Sequence, residues 1–321
     1  MVFKKIALWF LRGLLFSVMV SSAAECAVEG GSEAEGRKYA LLIGINEYSG
    51  ETFTPLKGCH NDVRLVRDLL TEDRFGFASD DVTALLDSQA THSGILNAIR
   101  ALTEKARQDD IVYIHYSGHG SATPDLNGDE KLESGKDSTL VSYGSIRLRA
   151  ESSDAPSANP AVEGRGAPAS SKLDDYDILD DELELALANL AKKSRNVVFV
   201  ADSCHSGSIT RGEDAMATRG APEDSRPHPA GFDAPEDNSA KNLFVAVGAA
   251  KDTEKAVEYR GSDDRVYGAF TWFWARALRS SSGEDTWRMV YDRASTMCQL
   301  KIYKIALQKC LCYSKYVIFY L

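Results

Sequence analysis

The spacing of apolar residues constrains this chain most, because short apolar runs alternate with stretches in which apolar residues recur at helical intervals. Continuous apolar cores lie within RKYALLIGINEY (37–48), IVYIHY (111–116) and VVFVA (197–201). Such runs are typical of strands that are buried on both faces of a sheet. Strands that alternate with helices predict an α/β fold, a three-layer α/β/α sandwich around a mostly parallel central sheet.

Further elements follow from the same patterns. Apolar residues at helical spacing predict helices, and shorter apolar runs predict strands. We expect helices within 63–70, 95–106, 179–190 and 268–278, and strands at 82–86, 139–143 and 243–247. In parallel sheets, functional groups gather where loops leave the carboxyl ends of the strands.

One domain is expected over 37–285, since a chain of 321 residues suits one or two domains. Within it, 145–177 and 208–241 are rich in small and polar residues, so we expect mobile surface insertions there. Residues 286–321 form a tail of uncertain structure. Its composition changes abruptly, which also fits a truncated or frameshifted end.

Residues 1–24 have the pattern of a secretory signal peptide. Basic residues up to Arg12 precede an apolar run at 13–20, and small residues at 22–24 suit a cleavage site. An uncleaved anchor is the alternative, but Arg12 leaves an apolar stretch too short to span a bilayer. We therefore expect an exported protein, periplasmic or secreted, without a stable membrane span.

The charge balance narrows the range of partners. The chain has 37 basic and 47 acidic residues, which gives a net charge of −10. Nucleic acids and anionic membranes attract a basic face, so neither is expected as the main partner. The six cysteines are too few for a disulfide scaffold in a chain of this length.

Two glycine-containing turns carry the residues that suggest chemistry. YSGHG (116–120) and DSCHSG (202–207) each follow a buried strand. A cysteine in such a turn can act as a nucleophile when an imidazole lies near it, and Cys204 and His119 are the candidates. The 85 residues between them are no obstacle, because catalytic pairs meet in space rather than in sequence.

These turns resemble those of the caspase-like cysteine peptidases, specifically the metacaspase and bacterial orthocaspase branch. Further similarities follow in the same order along most of residues 37–280. They are YALLIGINEY, LKGCHNDV, DILDDEL, AVGAAKDTEKAVE and GAFTWFWARAL, each weak alone and specific together. The resemblance implies the caspase-like fold and a hydrolase that cleaves polypeptides with a Cys/His dyad.

In this interpretation, Cys204 attacks the scissile carbonyl as a thiolate. His119 helps to ionise it and then protonates the leaving amine. The backbone N–H groups of Gly120 and Cys204 hold the oxyanion of the tetrahedral intermediate. Calcium is not required for this chemistry.

Two other functions stay open on the sequence. One is a catalytically inactive caspase-like module that binds peptides or partner proteins. The other is a metallohydrolase that uses His119 and Cys204 as ligands. The neighbouring His115 and His205 suggest zinc only superficially, and we expect His115 to be structural and His205 to lie at the surface.

The resemblance also implies an acidic primary pocket that selects Arg or Lys, whereas true caspases select Asp. It places Asp62 and Asp202 in that pocket, with Ser117 as a further lining residue. A guanidinium pairs well with two carboxylates, so basic specificity is predicted. Taken alone, Asp62 is more often explained as a helix N-cap.

The second insertion contains Arg211, Arg219 and Arg226. The resemblance makes this linker a candidate self-cleavage region, and an Arg-directed enzyme would accept such sites. Exposed arginines in an acidic loop are also common without that role.

Calcium is the cofactor to consider. Asp125–Asp129 alternates oxygen ligands as a calcium loop does, but the rest of an EF-hand is missing. Separately, the metacaspase resemblance implies a calcium site near Asp137, Asp180 and Asp181. The alternative is a solvated acidic turn and a helix start whose charges suit the helix dipole.

Overall fold

A computed structural model describes residues 36–49, 52–125, 136–147, 172–204, 217–226, 228, 243–250 and 255–307. Its strands are β1 (Lys38–Gly44), β2 (Val82–Leu86), β3 (Ile111–Ser117), β4 (Gly120–Pro124), β5 (Lys136–Leu140), β6 (Ile178–Leu179), β7 (Asn196–Asp202), β8 (Val245–Gly248), β9 (Glu258–Arg260) and β10 (Val266–Gly268). Its α-helices are α1 (Cys59–Leu70), α2 (His92–Lys105), α3 (Asp180–Ala191), α4 (Ala269–Arg279) and α5 (Trp287–Leu307).

The central sheet has five parallel strands in the order β2-β1-β3-β7-β8. Successive side chains of a strand point to opposite faces, and both faces are covered by helices. Ala40 and Leu42 pack with residues of α1, α4 and α5. Leu41 and Ile43 pack with residues of α2 and α3. This arrangement confirms the three-layer α/β/α prediction and explains why the strands are apolar throughout.

A smaller antiparallel sheet, in the order β4-β5-β6, and the hairpin of β9 and β10 complete the described strands. The strand predicted at 139–143 is β5, which begins and ends three residues earlier. The boundaries of β5 could not be predicted from an apolar run because the strand is largely polar. It is held in place by backbone pairing with β4. Neither β4 nor the hairpin has an apolar run of the length that predicts a buried strand.

The register of the central sheet positions the predicted turns. Ser117, the last residue of β3, pairs with Asp202, the last residue of β7. Because the strands are parallel, the two turns that follow leave the same edge of the sheet. His119 and Cys204 each lie two residues beyond this pair, which brings their backbones side by side.

Some predictions fall on other parts of the chain. The signal peptide at 1–24, most of the two insertions and the end of the tail lie outside the described residues. The part of the tail that is described begins the long helix α5, which packs on α4. No helix within the described ranges is long and apolar enough to cross a membrane.

Candidate active site

Cys204 lies two residues after the end of β7 and is almost completely buried. Its Sγ lies 3.1 Å from the backbone nitrogen of Ala256, whose N–H donates to the sulfur. Burial raises the pKa of the Cys204 thiol to about 11, and the hydrogen bonds from backbone N–H groups offset this only in part. The sulfur is therefore held as a neutral thiol in this conformation.

His119 lies between β3 and β4, and its ring is oriented by one strong hydrogen bond. Its Nε2 is 2.7 Å from the carbonyl oxygen of Thr54. A carbonyl only accepts, so Nε2 carries the proton and Nδ1 carries the lone pair of the neutral ring. Nδ1 is buried and has no hydrogen-bond partner among the described residues. Burial lowers the pKa of His119 to about 4, so the imidazole is neutral and its lone pair is available as a base.

Among the described residues, no hydrogen bond joins the thiol of Cys204 to the ring of His119. The thiol of Cys204 contacts Ala256, and the ring of His119 donates to Thr54. The lack of this hydrogen bond does not argue against a catalytic pair, because such bonds often form only later in the reaction. The rings of Tyr48 and Phe53 beside the imidazole, at centroid distances of 5.1 and 6.4 Å, exclude water from it.

The two predicted oxyanion donors converge on one atom. The backbone N–H groups of Gly120 and Cys204 both donate to the carbonyl oxygen of Arg219, each at 3.0 Å. A Cβ on Gly120 would collide with the carbonyl group of Cys204, so only glycine permits this close approach. The carbonyl oxygen of Arg219 is therefore held between two backbone N–H donors.

The side chain of the same Arg219 fills a closed acidic pocket. Its Nη2 lies 2.7 Å from Oδ2 of Asp62, and its Nη1 lies 3.3 Å from Oδ2 of Asp202. Nη1 also donates to Oγ of Ser117 at 2.7 Å. All three predicted pocket residues therefore meet around one guanidinium, which has no exposed surface.

The carboxylates of the pocket are fixed by neighbouring groups. Asp62 accepts from the backbone N–H of Gly268 at 2.9 Å, and Asp202 accepts from the N–H and hydroxyl of Thr271. Burial and the nearby Asp202 raise the pKa of Asp62 to about 7, although Arg219 opposes this shift. Asp62 lies in the first turn of α1, whose N-cap is Gly58, so the N-cap interpretation is wrong.

Sequence reasoning missed one further carboxylate of the pocket. Oε1 of Glu258 lies 3.9 Å from Nη2 of Arg219 and accepts from the backbone N–H groups of Lys57 and Gly58. Glu258 ends the AVE sequence at the start of β9. The sequence alone does not distinguish Glu258 from the other acidic residues of that stretch.

The backbone around Arg219 is bound like an added strand. On one side, Arg219 donates its N–H to the carbonyl of Ala256, and Glu258 donates to that of Ala217. Beyond Arg219, Ala221 donates to the carbonyl of Gly120. The prediction of a surface insertion over 208–241 is therefore wrong for 217–222, because the backbone groups of this stretch form hydrogen bonds inside the cleft.

The remaining predicted residues lie apart from the pocket. His115 is buried in β3, where Nε2 is 3.1 Å from the hydroxyl of Thr271, as a structural residue would be. Arg226 pairs with Asp224 and stacks on Tyr176. His205 and Arg211 lie outside the described residues.

The predicted calcium ligands do not converge. Asp180 accepts from the backbone N–H of Ser138 at 3.1 Å, and Asp137 is buried within β5. In the part of the chain that the structure describes, no set of three close ligand atoms includes Asp137, Asp180 or Asp181. Possible calcium binding stays a prediction, and most of the Asp125–Asp129 loop lies outside the described residues.

Comparison with known proteins identifies the family of this chain. The caspase domain family of peptidases matches residues 37–299. Metacaspase-1A of Aspergillus terreus is 35% identical over 183 residues, which cover 55% of this chain and 38% of that protein. Metacaspase-1 of Ajellomyces capsulatus is 34% identical and is covered over 42% of its length. The chain thus spans about two fifths of the curated relatives it matches.

A solved structure shows the same fold at lower sequence similarity. A protein from Geobacter sulfurreducens superimposes with a TM-score of 0.55 and 18% identity. The alignment covers 88% of this chain and 92% of that protein. At this identity the match describes the fold alone.

Proposed function

Because this chain belongs to the caspase-domain peptidase family, we propose that it is a cysteine endopeptidase that cleaves peptide bonds after arginine or lysine. Cys204 is the nucleophile, and His119 is the general base and acid. The observation that carries the proposal is the bound state of Arg219. Its side chain pairs with Asp62 and Asp202 while its carbonyl oxygen sits between two N–H donors.

The chemistry follows from the positions of the atoms. The proton of the Cys204 thiol moves to the lone pair on Nδ1 of His119 as the sulfur attacks the carbonyl carbon. The oxygen gains the negative charge, which the N–H groups of Gly120 and Cys204 stabilise, each by about 3 kcal/mol. His119 then returns the proton to the leaving amine. Water completes the cycle by hydrolysing the thioester.

The proposal includes self-cleavage between Arg219 and Gly220. The segment around this bond is hydrogen-bonded to Ala256 on one side and to Gly120 on the other. These bonds hold it across the cleft in an extended conformation, as a substrate would lie. While Arg219 fills the acidic pocket, no other basic side chain can enter it. The segment therefore blocks external substrates until it is cut or displaced.

Fluorogenic peptides that end in Arg, Lys or Asp test the specificity, each with calcium and with a calcium chelator. Turnover of the Arg and Lys peptides, but not of the Asp peptide, is expected. Cys204→Ala and His119→Ala should reduce turnover to background. An inactive wild type that still binds the Arg peptide would favour a peptide-binding module instead.

Amino-terminal sequencing of the fragments of purified protein tests self-cleavage. The wild type should yield a fragment that begins at Gly220, and Arg219→Gln should not. Arg226→Gln is the matched control, because Arg226 lies on the same segment but outside the pocket. A fragment starting at Gly220 from Cys204→Ala would show that a contaminating protease makes the cut.

A further inference from the structure

Two histidines and a glutamate meet in the interior on the α2 and α3 side of the sheet. His92 begins α2, Glu182 lies in the first turn of α3, and His228 lies nine residues after Arg219. One ligand atom from each lies within 4.8 Å of the other two. Nε2 of His228 also lies 3.3 Å from the carbonyl oxygen of Asp177, a contact that it would give up on binding a metal. Their side chains are at most 4% exposed, although His228 as a whole residue is half-buried. None of the three takes part in the cleavage chemistry.

The hydrogen bonds of His92 place a hydrogen-bond acceptor of its ring against an acceptor oxygen of Glu182. Its Nδ1 lies 3.3 Å from the carbonyl oxygen of Tyr176, which can only accept, so Nδ1 carries the proton of the neutral ring. The lone pair on Nε2 then faces Oε1 of Glu182 at 3.2 Å. Two acceptors at this distance repel each other unless a proton or a metal cation lies between them.

We propose that His92, Glu182 and His228 bind a divalent cation of the zinc class. Two imidazoles and one carboxylate form a common three-ligand zinc set with a fourth position for water. The Tyr176 carbonyl that holds Nδ1 of His92 is the usual outer partner of a metal-bound histidine. Imidazole is not a ligand that Ca²⁺ favours, so this site is distinct from the predicted calcium site.

The ion would connect three parts of the chain that are distant in sequence, because His92, Glu182 and His228 each come from a different part. His228 joins the segment that carries Arg219 to the starts of α2 and α3. Arg226 fixes the same segment by donating to the carbonyl oxygens of Ile146 and Asp175. If the proposed self-cleavage occurs, the ion retains the new end from Gly220 to His228 beside these helices. Metal binding itself does not depend on that cleavage.

Zinc binding to the full chain carrying Cys204→Ala tests the site, because this background removes both self-cleavage and the catalytic thiol as a competing ligand. After dialysis against a chelator, titration calorimetry should detect a zinc site. His228→Gln and Glu182→Gln should weaken it more than about tenfold, since loss of an outer partner alone costs that much. His60→Gln is the matched control, because His60 pairs with Asp87 elsewhere. Circular dichroism checks that each variant is folded.

Co²⁺ absorption separates this site from adventitious binding to the remaining cysteines. The His/Glu site should give visible bands without the intense near-ultraviolet charge transfer of a thiolate ligand, and the bands should vanish in His228→Gln. Zinc should also raise the Tm of the parent chain and of His60→Gln, but not that of His228→Gln. Equal zinc affinity in His228→Gln and His60→Gln, or no binding to the parent, would overturn the proposal.

Discussion

At the scale of single residues, His115 and His119 have different environments although they are only four positions apart in the chain. The ring of His115 is enclosed in β3 with both nitrogens near hydroxyl groups. The ring of His119 lies beside the turn that carries Cys204, and one of its nitrogens has no partner in the part of the chain that the structure describes. A base needs a lone pair that a substrate or nucleophile can use, so only His119 suits catalysis.

Asp202 should govern the preference for basic substrates. Asp202→Asn keeps an oxygen that can accept from Thr271 but removes the charge that faces the guanidinium. We expect kcat/KM for Arg peptides to fall by about 30-fold to 1,000-fold, equivalent to about 2–4 kcal/mol for a buried charge pair. The control is Asp263→Asn, an exposed carboxylate that contacts the hydroxyl of Tyr267. Equal losses in the two variants would contradict the assignment.

Gly120 should be irreplaceable for a different reason. In Gly120→Ala the new Cβ would collide with the carbonyl of Cys204 and displace one oxyanion donor. Steady-state kinetics should show kcat lower by about 100-fold to 1,000-fold. Activity near that of the wild type in a folded Gly120→Ala protein would place the oxyanion elsewhere.

At the scale of elements, the parallel strands could be predicted from sequence, whereas the smaller ones could not. β1, β3 and β7 have long apolar runs because both of their faces are buried. β4, β5 and the hairpin of β9 and β10 depend on backbone pairing with distant segments, which leaves no local pattern. The site was also only partly predictable from sequence. The motif turns indicated Cys204 and His119, but only tertiary contacts show that Glu258 lies in the pocket and that Arg219 fills it.

The buried His115 makes β3 a source of acid sensitivity. Burial lowers its pKa to about 4, from about 6.5 in the unfolded chain. Between pH 6.5 and pH 4, His115 is therefore protonated in the unfolded chain but neutral in the folded protein. This difference lowers the free energy of unfolding by about 3 kcal/mol in total as the pH falls through that range. Asp62 acts in the opposite direction over this range because its pKa is raised, so a variant is needed to isolate His115.

Urea unfolding at several pH values, in the Cys204→Ala background, measures this contribution. The stability of His115→Gln relative to its parent should rise by about 3 kcal/mol between pH 6.5 and pH 4. Tyr113→Phe, which changes only a neighbouring hydroxyl, should keep the parent's pH dependence. A constant difference between His115→Gln and its parent would mean that His115 titrates normally.

At the scale of the whole molecule, α5 belongs to the folded domain although its sequence gave no clear prediction. Trp287 stacks on Trp274 of α4, with ring centroids 6.1 Å apart, and both are largely buried. The family match extends to residue 299, beyond the predicted domain end at 285. The mixed composition of 286–321 obscured this helix, because few of its residues repeat at a regular apolar spacing.

Trp287→Ala should lower the free energy of unfolding by about 3–5 kcal/mol, because it leaves a cavity against α4. Met289→Ala is the control on the same helix, since Met289 is 48% exposed and should change stability by less than about 0.5 kcal/mol. Urea denaturation measures both. Similar stabilities for the two variants would show that α5 does not pack on the domain in solution.

The most direct measurement of the central claim is covalent labelling with a peptide chloromethyl ketone that ends in arginine, followed by tandem mass spectrometry of the digested, self-processed protein. The reagent requires both an acidic pocket and a reactive sulfur at the correct distance from it. We predict a single adduct on Cys204, not formed by the corresponding aspartate reagent. An adduct on another residue, or equal labelling by the aspartate reagent, would contradict the account.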